Sequence, residues 1–493
     1  MQNSCLHDRH DKGDIGLDTR SNRVIGSHTN MTGVSTAGLT LDLGDDGPMT
    51  RRLTTALRDA VRDGRLPPGT ALPPSRQFAA EIGCSRWVVT EAYGQLVAEG
   101  YLQATTGAAT RVRDIRGATP LRPLGIPPAE PRPRFDLAPG IPDLSAFPRT
   151  RWAEAYRRAV LARPTGLLAD RTPIGIADAR AVITDYLVRT RQVREDPTQV
   201  MVSNGAGASV GWLARVLVRL GHRRIGVEDP SWPGLRDAAR RAGLEVVPIP
   251  VDNHGLQVSR LDDHPGIRAV ITTPAHQFPM GVALSPDRRL ELIDWAERVG
   301  GLVIEDDYDA EYRYDRRPVG SLQGMAPDRV VLVGSVSKSL GPAVNLGWVI
   351  MPQWLIMRIL AGDLETGVGP SVFGLEAFAI MINEGWYERH LRGMRTAYRK
   401  RREAVAAAIE EMLPDCRISG MAAGLHLLLE LPAGTDADGV VDRAAAQQVG
   451  VVSIDRYRLR SGRNPALVIG YGNLRSGRER EAVGLLARAI RRT

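Results

Sequence analysis

The chain of 493 residues contains little lysine, few cysteines and no long apolar run. Its three cysteines, Cys5, Cys84 and Cys416, are widely separated in sequence, so they form neither a metal-binding spacing nor a disulfide framework. We therefore expect no metal site and a reducing, cytoplasmic environment. No stretch of about 18 apolar residues is present, and the N-terminus has no apolar signal region, which predicts a globular protein without a membrane span.

Because lysine is so scarce, each lysine needs an explanation. Lysine and arginine together number 64, and only Lys12, Lys338 and Lys400 are lysines. Lys338 stands between two serines, shortly after the apolar run 329–333. Arginine keeps its proton near neutral pH, whereas a lysine amine can lose it and form a Schiff base with a carbonyl compound. Taken alone, Lys338 fits a Schiff-base lysine and an ordinary surface lysine equally well.

The apolar pattern divides the chain into four parts. Residues 1–46 are polar, which predicts a mostly disordered extension. Residues 47–116 form a helix-rich unit, and the proline-rich stretch 117–134 predicts a semi-rigid linker. Over 135–493, strand-like runs alternate with helical stretches, which predicts an α/β domain with a mainly parallel sheet. From about residue 375, long helical stretches and short strands predict a small C-terminal α+β subdomain.

Residues 72–101 have the pattern of two short helices joined by a tight turn. Ser75 is a candidate N-cap of the first helix, Gly83 ends that helix, and Ser85 is a candidate N-cap of the second. A helix-turn-helix brings the N-terminal residues of its second helix to the base edges of the DNA major groove. Those residues are Ser85, Arg86, Trp87 and Thr90. An αα-hairpin that packs against the larger domain fits the same pattern.

This region resembles the winged helix-turn-helix of the GntR superfamily. The shared motifs are Leu-Pro-x-Ser-Arg at 72–76, Gly-x-Ser-Arg at 83–86 and Ala-Tyr-x-x-Leu-x-x-Glu-Gly at 92–100. The resemblance implies a mainly α domain that binds a double-stranded DNA operator through Ser75, Arg76 and the second helix, with a β-hairpin wing that places Arg111 near phosphates. The wing departs from the family, because Gly107-Ala-Ala-Thr110 replaces the usual Gly-Ser-Gly-Thr.

Three further motifs follow strand-like runs in the C-terminal part. A carboxylate in Glu305-Asp-Asp-Tyr-Asp would keep the ring nitrogen of pyridoxal 5'-phosphate (PLP) protonated, and Asp306 is the first candidate before Asp307. Trp232 is a candidate to stack on the ring face. The glycine-rich turn 203–209 opens a helix whose free amides suit a phosphate. A solvated acidic loop, a core tryptophan and an ordinary turn are the alternatives.

Together with Thr273-Pro-Ala-His-Gln-Phe-Pro-Met-Gly281, this ordered set resembles the aminotransferases of PLP fold type I. The whole chain resembles MocR/GabR-type regulators, in which a GntR-like winged helix is joined to an aminotransferase-like domain. The resemblance implies that Lys338 forms the Schiff base with PLP, Asp306 pairs with the pyridine nitrogen, Tyr308 faces the phenolic oxygen and Trp232 stacks on the ring. It also implies a phosphate site and cofactor edge formed by Gly205, Ala206, His276, Gln277, Ser335 and Ser337.

One position departs from that family. Its members usually carry an arginine seven residues after the lysine, which pairs with the cofactor phosphate; here that residue is Asn345. The loss of a charge-assisted hydrogen bond costs on the order of 1.5–3 kcal/mol, roughly a tenfold to hundredfold weaker affinity for the cofactor. Arginines at 456, 458, 460 and 463 are candidates for binding an amino-acid carboxylate.

Three functions fit these motifs. The first is a PLP-dependent DNA-binding transcription regulator, a homodimer whose aminotransferase-like domain senses PLP or an amine or amino-acid effector as an aldimine. The second is an active aminotransferase with an accessory DNA-binding domain, and the third is a cofactor-free regulator that uses the fold as a dimerisation scaffold. Asn345 favours sensing over turnover, and the presence of Lys338 in a lysine-poor chain argues against the third. We therefore predict the first.

Overall fold

A computed structural model of the chain describes residues 33–36, 39–105, 107–114, 133–169, 175–194, 196–314, 319–362, 364, 369–460, 462 and 464–491. Within these ranges no helix combines the length and the apolar character that crossing a membrane requires. The chain divides between Ala129 and Glu130 into two compact units. Of the predicted linker 117–134, only residues 133 and 134 are among those described.

The N-terminal unit contains three helices and two short β-hairpins among its described residues. Its elements are β1 (Gly33–Thr36), β2 (Leu39–Asp42), α1 (Met49–Arg62), α2 (Ser75–Ile82), α3 (Arg86–Ala98), β3 (Leu102–Gln103) and β4 (Arg111–Val112). Each helix contributes one buried face to a shared core, which includes Leu53, Phe78 and Val89. The predicted mainly α unit is therefore confirmed.

The prediction of a disordered extension over residues 1–46 is wrong for its last part. Strands β1 and β2 form an antiparallel hairpin, and Leu41 and Leu43 are buried in the core of the N-terminal unit. Apolar residues at 39, 41 and 43 alternate with polar ones, which is the period of a half-buried strand. This run is too short to stand out from the polar composition around it. Residues 1–32 lie outside the described residues.

The turn between α2 and α3 has the predicted helix-turn-helix form. Gly83 ends α2 with φ at 68°, in the left-handed region that glycine adopts without steric penalty. Ser85 caps α3, because its side chain accepts a hydrogen bond from the amide of Val88. Ser75, predicted as a cap, is instead the first residue of α2, and Pro74 holds the cap position with an extended backbone. Strands β3 and β4 pair antiparallel as the predicted wing.

The C-terminal unit is built on an eight-stranded sheet. After β5 (Phe135–Asp136), the chain forms α4 (Arg149–Ala162) and α5 (Ala177–Arg191). The strands of the sheet are β6 (Val200–Ser203), β7 (Arg224–Asp229), β8 (Glu245–Asp252), β9 (Gly255–Leu256), β10 (Ala269–Thr272), β11 (Leu302–Asp307), β12 (Val330–Ser335) and β13 (Gly347–Ile350). The helices that follow or separate them are α6 (Ala206–Arg219), α7 (Pro233–Arg241), α8 (Pro286–Arg298) and α9 (Gln353–Leu360).

The strand order in this sheet is β6-β13-β12-β11-β10-β7-β8-β9. Neighbouring strands from β12 to β8 are parallel, whereas β13 is antiparallel to both its neighbours and β9 is antiparallel to β8. The predicted mainly parallel α/β sheet is confirmed. In such sheets, ligands bind in the crevice beyond the carboxyl ends of the strands. Those ends lie at Asp229, Thr272, Asp307 and Ser335.

A smaller subdomain completes the C-terminal unit, as predicted from about residue 375. Its elements are α10 (Val372–Asn383), α11 (Trp386–Met412), β14 (Arg417–Ser419), β15 (His426–Glu430), α12 (Ala437–Ala445), β16 (Val449–Gly450), β17 (Val452–Ser453), β18 (Ala466–Gly470) and α13 (Glu479–Arg491). Strands β14, β15, β18 and β17 form an antiparallel sheet in that order. Strand β5 pairs in parallel with β16, so the start of the C-terminal unit is attached to this subdomain.

Candidate functional site

A cavity of about 270 Å³ opens at the carboxyl ends of the central strands. Its charged and polar wall residues are Glu228, Ser231, Arg236, Thr273, Asp306, Asp309, Ser335, Ser337, Lys338 and His426. Apolar and aromatic residues of the wall include Val227, Trp232, Leu235, Ile271, Phe278, Tyr308, Leu425 and Tyr457. Seven predicted site residues therefore lie around one cavity: Ala206, Trp232, Asp306, Tyr308, Ser335, Ser337 and Lys338.

Lys338 lies in the turn after β12, and its amine is in the cavity wall. The Nζ atom donates a hydrogen bond of 2.6 Å to the carbonyl oxygen of Gly140. Burial lowers the pKa of Lys338, and the charges of Asp309 and Asp306 offset only part of that effect. A lysine whose pKa is lowered has more of its amine in the neutral, nucleophilic form near pH 7.

The acidic run at the end of β11 turns its side chains alternately to opposite faces of the sheet, as strand geometry requires. Glu305 accepts hydrogen bonds of 3.1 Å from the backbone amides of residues 322 and 323. Asp307 forms a two-point ion pair with Arg191, at 2.6 and 2.8 Å. Asp306 faces the cavity, and no hydrogen-bond partner for its Oδ1 occurs in the described part of the chain. Of the two predicted candidates, only Asp306 has an oxygen available to a ligand.

The environment of Asp306 disfavours its charge. Burial and the neighbouring charge of Asp307 raise the pKa of Asp306 to about 7, although Lys338 acts in the opposite direction. A buried carboxylate oxygen without a donor costs free energy. A ligand that donates a hydrogen bond to Asp306 would remove that cost.

The start of α6 and the turn after β12 form a concave polar surface. Gly205, which precedes α6 with φ at 88°, lies so close to this turn that a Cβ on it would be 3.9 Å from Ser337 Oγ. The first amides of a helix have no partner within the helix and attract anions. Ala206, Ser335 and Ser337 line the cavity beside them, so this end of the cavity can hold an anionic group.

Trp232 and Tyr308 bring aromatic rings to the cavity wall. Trp232 immediately precedes α7 and is 45% exposed, which excludes the alternative of a core tryptophan. Its ring lies over the start of α6, because a Cβ on Gly207 would be 3.9 Å from it. The Tyr308 hydroxyl lies 3.1 Å from Nδ1 of His276. Both rings can therefore contact a flat ligand.

The predicted edge residues His276 and Gln277 are buried and lie outside the cavity wall. The Gln277 amide donates to the Glu228 carboxylate at 3.1 Å and to the Pro230 carbonyl at 2.9 Å. His276 Nδ1 lies 2.9 Å from the Asp309 carboxylate. These two residues support the loops that carry the wall residues.

Asn345 also lies outside the cavity wall, and it is exposed. It ends the short helical turn at 342–344 with φ at 51°. The loop nevertheless passes close to the polar surface at α6, because a Cβ on Gly347 would come within 2.8 Å of Gly205 Cα. Asn345 stands two residues before Gly347, in the segment that approaches this surface.

The arginine in the cavity wall is Arg236, which the sequence did not indicate. Its terminal nitrogens donate to the carbonyls of Tyr457 at 2.8 Å and Arg456 at 3.1 Å. Among the arginines considered from the sequence, Arg458 is ion-paired with Asp455 at 2.6 Å, and residue 463 lies outside the described residues. No short motif links α7 to residues 456–457, so only the fold brings them together.

Most of the predicted DNA-contacting residues are exposed in the N-terminal unit. Arg76, Ser85, Arg86, Trp87 and Thr90 are exposed, and Ser75 is half-buried. Trp87 is 66% exposed in the first turn of α3, whereas Val89, Ala92, Tyr93 and Leu96 of the same helix are buried. Arg86 Nε donates to the Ser75 hydroxyl at 3.3 Å and so connects α2 to α3.

Arg111 in the wing is exposed, but its guanidinium is already engaged. One of its nitrogens donates to the Gly69 carbonyl at 2.8 Å. A guanidinium has five N–H donors, so one hydrogen bond to a carbonyl leaves donors that can meet a phosphate.

Comparison with known proteins gives the same division of the chain. Residues 49–112 match the family described as bacterial regulatory proteins, gntR family, and residues 134–462 match aminotransferase class I and II. The pyridoxine biosynthesis transcriptional regulator PdxR of Corynebacterium glutamicum is 34% identical, over 86% of this chain and 91% of its own. The probable rhizopine catabolism regulatory protein MocR of Rhizobium meliloti is 31% identical, and the match covers 92% of this chain and 96% of that relative.

Solved structures support the fold of the C-terminal unit. The kynurenine aminotransferase of Pyrococcus horikoshii superposes with a TM-score of 0.65, covering 73% of this chain and 91% of that chain, at 22% identity. An archaeal alanine:glyoxylate aminotransferase superposes with a TM-score of 0.67 at 23% identity, covering 73% of this chain and 91% of that chain. Likeness at this level of identity establishes the aminotransferase fold and nothing about the substrate.

Proposed function

Because the chain belongs to the family of transcription regulators that join a gntR-family helix-turn-helix to a class I and II aminotransferase domain, we propose that it is a PLP-responsive, DNA-binding regulator. The observation that carries the cofactor proposal is the pairing, in one cavity, of Lys338 with the buried and unpartnered oxygen of Asp306. The relatives named PdxR and MocR carry the proposal that the N-terminal unit binds an operator.

The cavity fits PLP in its charges and its donors. Asp306 needs a hydrogen-bond donor, and a pyridinium N–H is one; its positive charge would also compensate the buried carboxylate. The amides at the start of α6, with Ser335 and Ser337, suit the phosphate. When bound, PLP supplies a carbonyl carbon that amines attack and a ring that withdraws electrons.

Several wall residues then have distinct tasks. Lys338 supplies the amine that attaches the cofactor, and its lowered pKa keeps that amine reactive. Asp306 holds the ring nitrogen in its protonated form. Trp232 covers one ring face, and Tyr308, which burial keeps protonated by raising its pKa, donates toward the phenolic oxygen. Asn345 offers no charge to the phosphate, so binding there depends on the helix amides and the serines.

In this proposal the regulator responds either to PLP itself or to a second ligand that reacts with bound PLP. The second ligand would be a small amine or an amino acid. An amine that competes with Lys338 for the same carbonyl carbon would free the lysine and change its contacts. The cavity wall carries Arg236, which would favour an effector with a carboxylate. We propose that this site senses its ligand and does not catalyse turnover of it.

We also propose that the protein acts as a homodimer in the cytoplasm. Helix α4 exposes the apolar side chains of Tyr156, Val160 and Leu161, and Leu167 and Leu168 are exposed just after it. Several exposed apolar side chains in one segment support the proposal, because exposed apolar surface often marks a protein–protein interface. Two winged helices in one dimer would read two half-sites of an operator.

The cofactor proposal is tested by absorbance spectroscopy of the full-length protein mixed with PLP. The wild type should change the visible absorbance of PLP, and Lys338→Ala should not. Lys400→Ala is the matched control, because Lys400 is exposed on α11 and should leave the change intact. A wild-type spectrum that equals the sum of protein and free PLP at saturating cofactor would refute the proposal.

A further inference from the structure

One glycine of α3 has no explanation within the N-terminal unit itself. Gly94 is exposed and lies in the interior of the helix. It is not among the glycines with a positive φ, and a Cβ built on it would meet no atom of the described residues within 4 Å. Glycine is the poorest helix former after proline, and alanine is the best. Neither the backbone conformation nor the packing therefore requires a glycine at this position.

Gly94 lies in the wall of a groove between α3 and the wing. The groove has a volume of about 560 Å³, and three segments of the N-terminal unit enclose it. Pro73 and Ser75 come from the start of α2 and the chain before it, Thr90 and Gly94 from α3, and Ala108 from the wing loop. A side chain at position 94 would therefore occupy space that the fold leaves open between these segments.

The chemistry of the groove suits a sugar–phosphate strand. Ser75, Thr90 and Thr110 contribute hydroxyl groups to the wall, and prolines and alanines contribute apolar surface. No carboxylate occurs among the described wall residues. The elements that form the groove also carry exposed arginines: Arg76, Arg86 and Arg111. Hydroxyl groups and arginines are common partners of the phosphates and sugars of DNA, so the groove complements an anionic strand.

The position of Gly94 along α3 is consistent with such a strand. Trp87 and Gly94 are seven residues apart and so lie on nearly the same side of the helix, about two turns apart. A recognition helix places its N-terminal residues at the base edges. Gly94 lies about 12 Å along the axis from Arg86, which is comparable to the width of the major groove, about 12 Å. The helix therefore reaches the bordering sugar–phosphate backbone near Gly94.

We propose that Gly94 is a DNA-contact position, at which the missing side chain lets a sugar–phosphate strand of the operator lie against the backbone of α3. Glycine allows a close approach between a protein backbone and a ligand because it has no Cβ. The small side chains of Ala108 and Ala109 in the wing loop leave the facing side of the groove equally open. The inference rests on the proposed function, because it takes double-stranded DNA as the partner of the N-terminal unit.

Gly94→Ala in the full-length protein should change stability and DNA affinity in opposite senses. Because alanine is the better helix former, the melting temperature of the N-terminal unit should rise by a few degrees, measured by calorimetry. Because the added methyl group would crowd the strand, affinity for a DNA fragment selected from a random library should fall roughly fivefold or more. Gly94→Leu should weaken binding further. Fluorescence anisotropy at one salt concentration measures both losses.

Gly393→Ala is the matched control. Gly393 is exposed in the interior of α11, and an added Cβ would likewise find no described neighbour within 4 Å. This substitution should raise the melting temperature of the C-terminal unit and leave DNA affinity at the wild-type value. The two glycines are equivalent for helix stability, so a difference in DNA affinity between the variants reports the contact at Gly94.

Two results would overturn the proposal. One is wild-type DNA affinity in both Gly94→Ala and Gly94→Leu. The other is a loss of affinity that accompanies a lower melting temperature of the N-terminal unit, because the loss would then follow from a damaged fold. If the wild type selects no DNA fragment, the proposed function fails and this inference fails with it. If the wild type binds its fragment and the Gly94 variants bind equally well, only this inference fails.

Discussion

The Lys338 amine donates a 2.6 Å hydrogen bond to the carbonyl of Gly140, and this bond joins the central sheet to the segment with which the C-terminal unit begins. That segment is fixed on its other side to the subdomain, since Leu137 donates to Gly450 at 2.8 Å and accepts from Gly470 at 2.7 Å. A ligand that takes up the lysine nitrogen leaves it at most one N–H. Chemistry at Lys338 would thus alter the contact between sheet and subdomain.

Gly140→Ala should disturb this contact. Gly140 has φ at 98°, where an alanine is strained by roughly 1 kcal/mol, and its Cβ would lie 3.3 Å from Lys338 Nζ. We expect a lower melting temperature and a several-fold weaker apparent affinity for PLP, measured by absorbance titration. Gly243→Ala is the control, because Gly243 has nearly the same φ, 97°, and nothing within 4 Å of the added carbon. Equal PLP affinity in the two variants would contradict the expectation.

Asp306→Asn should make the protein relatively more stable as the pH rises. The pKa of Asp306 in the folded protein is raised to about 7, above the value of about 3.9 for an unfolded aspartate. Between these values the folded state binds more protons, so raising the pH through this window destabilises the wild type. Asparagine does not titrate, so its free energy of unfolding escapes this loss. As the pH rises through the window, the free energy of unfolding of the variant should increase relative to that of the wild type by an amount on the order of a few kcal/mol.

The measurement is the free energy of unfolding of both proteins at pH 5 and pH 8, without PLP. The difference between variant and wild type should be larger at pH 8. A difference that is the same at both pH values would show that Asp306 does not titrate as proposed. The same variant should also lose affinity for PLP, because the ring nitrogen loses its charged partner.

Asn345→Arg should strengthen PLP binding. A charge-assisted contact with the phosphate contributes about 1.5–3 kcal/mol to binding, which is roughly a tenfold to hundredfold lower dissociation constant. The left-handed conformation of this position strains an arginine by about 1 kcal/mol in the free and the bound protein alike, so it lowers the free energy of unfolding and not the affinity. Absorbance titration of wild type, Asn345→Arg and the control Asn345→Ala measures the affinity. An arginine variant that binds no better than the alanine variant would place the phosphate elsewhere.

Trp87→Ala should weaken DNA binding without destabilising the protein. The indole is 66% exposed, so its removal leaves the core of the N-terminal unit intact, whereas an exposed aromatic at the centre of an interface often contributes more than about 1.4 kcal/mol, or tenfold in affinity. Fluorescence anisotropy on a DNA fragment selected from a random library, at fixed salt, measures the loss. Trp354→Ala, at a partly exposed tryptophan of the C-terminal unit, is the control and should bind as the wild type.

The sequence predicted the parts of the site that are local in the chain. Asp306 lies at the end of β11, and Lys338 and Trp232 stand three residues after β12 and β7, so all three are at the carboxyl ends of parallel strands, which meet at one edge of the sheet. The choice of Asp306 over Asp307 agrees with the alternation of side chains along β11, which sends Asp307 to Arg191. The GntR-like motifs predicted the turn at Gly83 for the same reason, because the geometry of a tight turn depends on only a few neighbouring residues.

Features that depend on distant segments were not predicted. Gly140 and Tyr457 reach the cavity from opposite ends of the C-terminal unit, and no local pattern indicates either. His276 and Gln277 follow a strand as expected, but position alone does not determine whether a loop side chain faces the cavity or the support behind it. The hairpin at 33–42 was missed because its few apolar residues contribute a core contact only once the helices are folded.

The most direct test of the account is the DNA affinity of the full-length protein with and without PLP. Wild type, Lys338→Ala and Lys400→Ala are titrated onto the selected DNA fragment at one salt concentration, because phosphate contacts make affinity salt-dependent. The account predicts that PLP changes the dissociation constant of the wild type and of Lys400→Ala by a similar factor and leaves Lys338→Ala unchanged. If PLP leaves the wild-type affinity unchanged at saturating cofactor, or shifts Lys338→Ala equally, DNA binding is not controlled through Lys338 and the account is wrong.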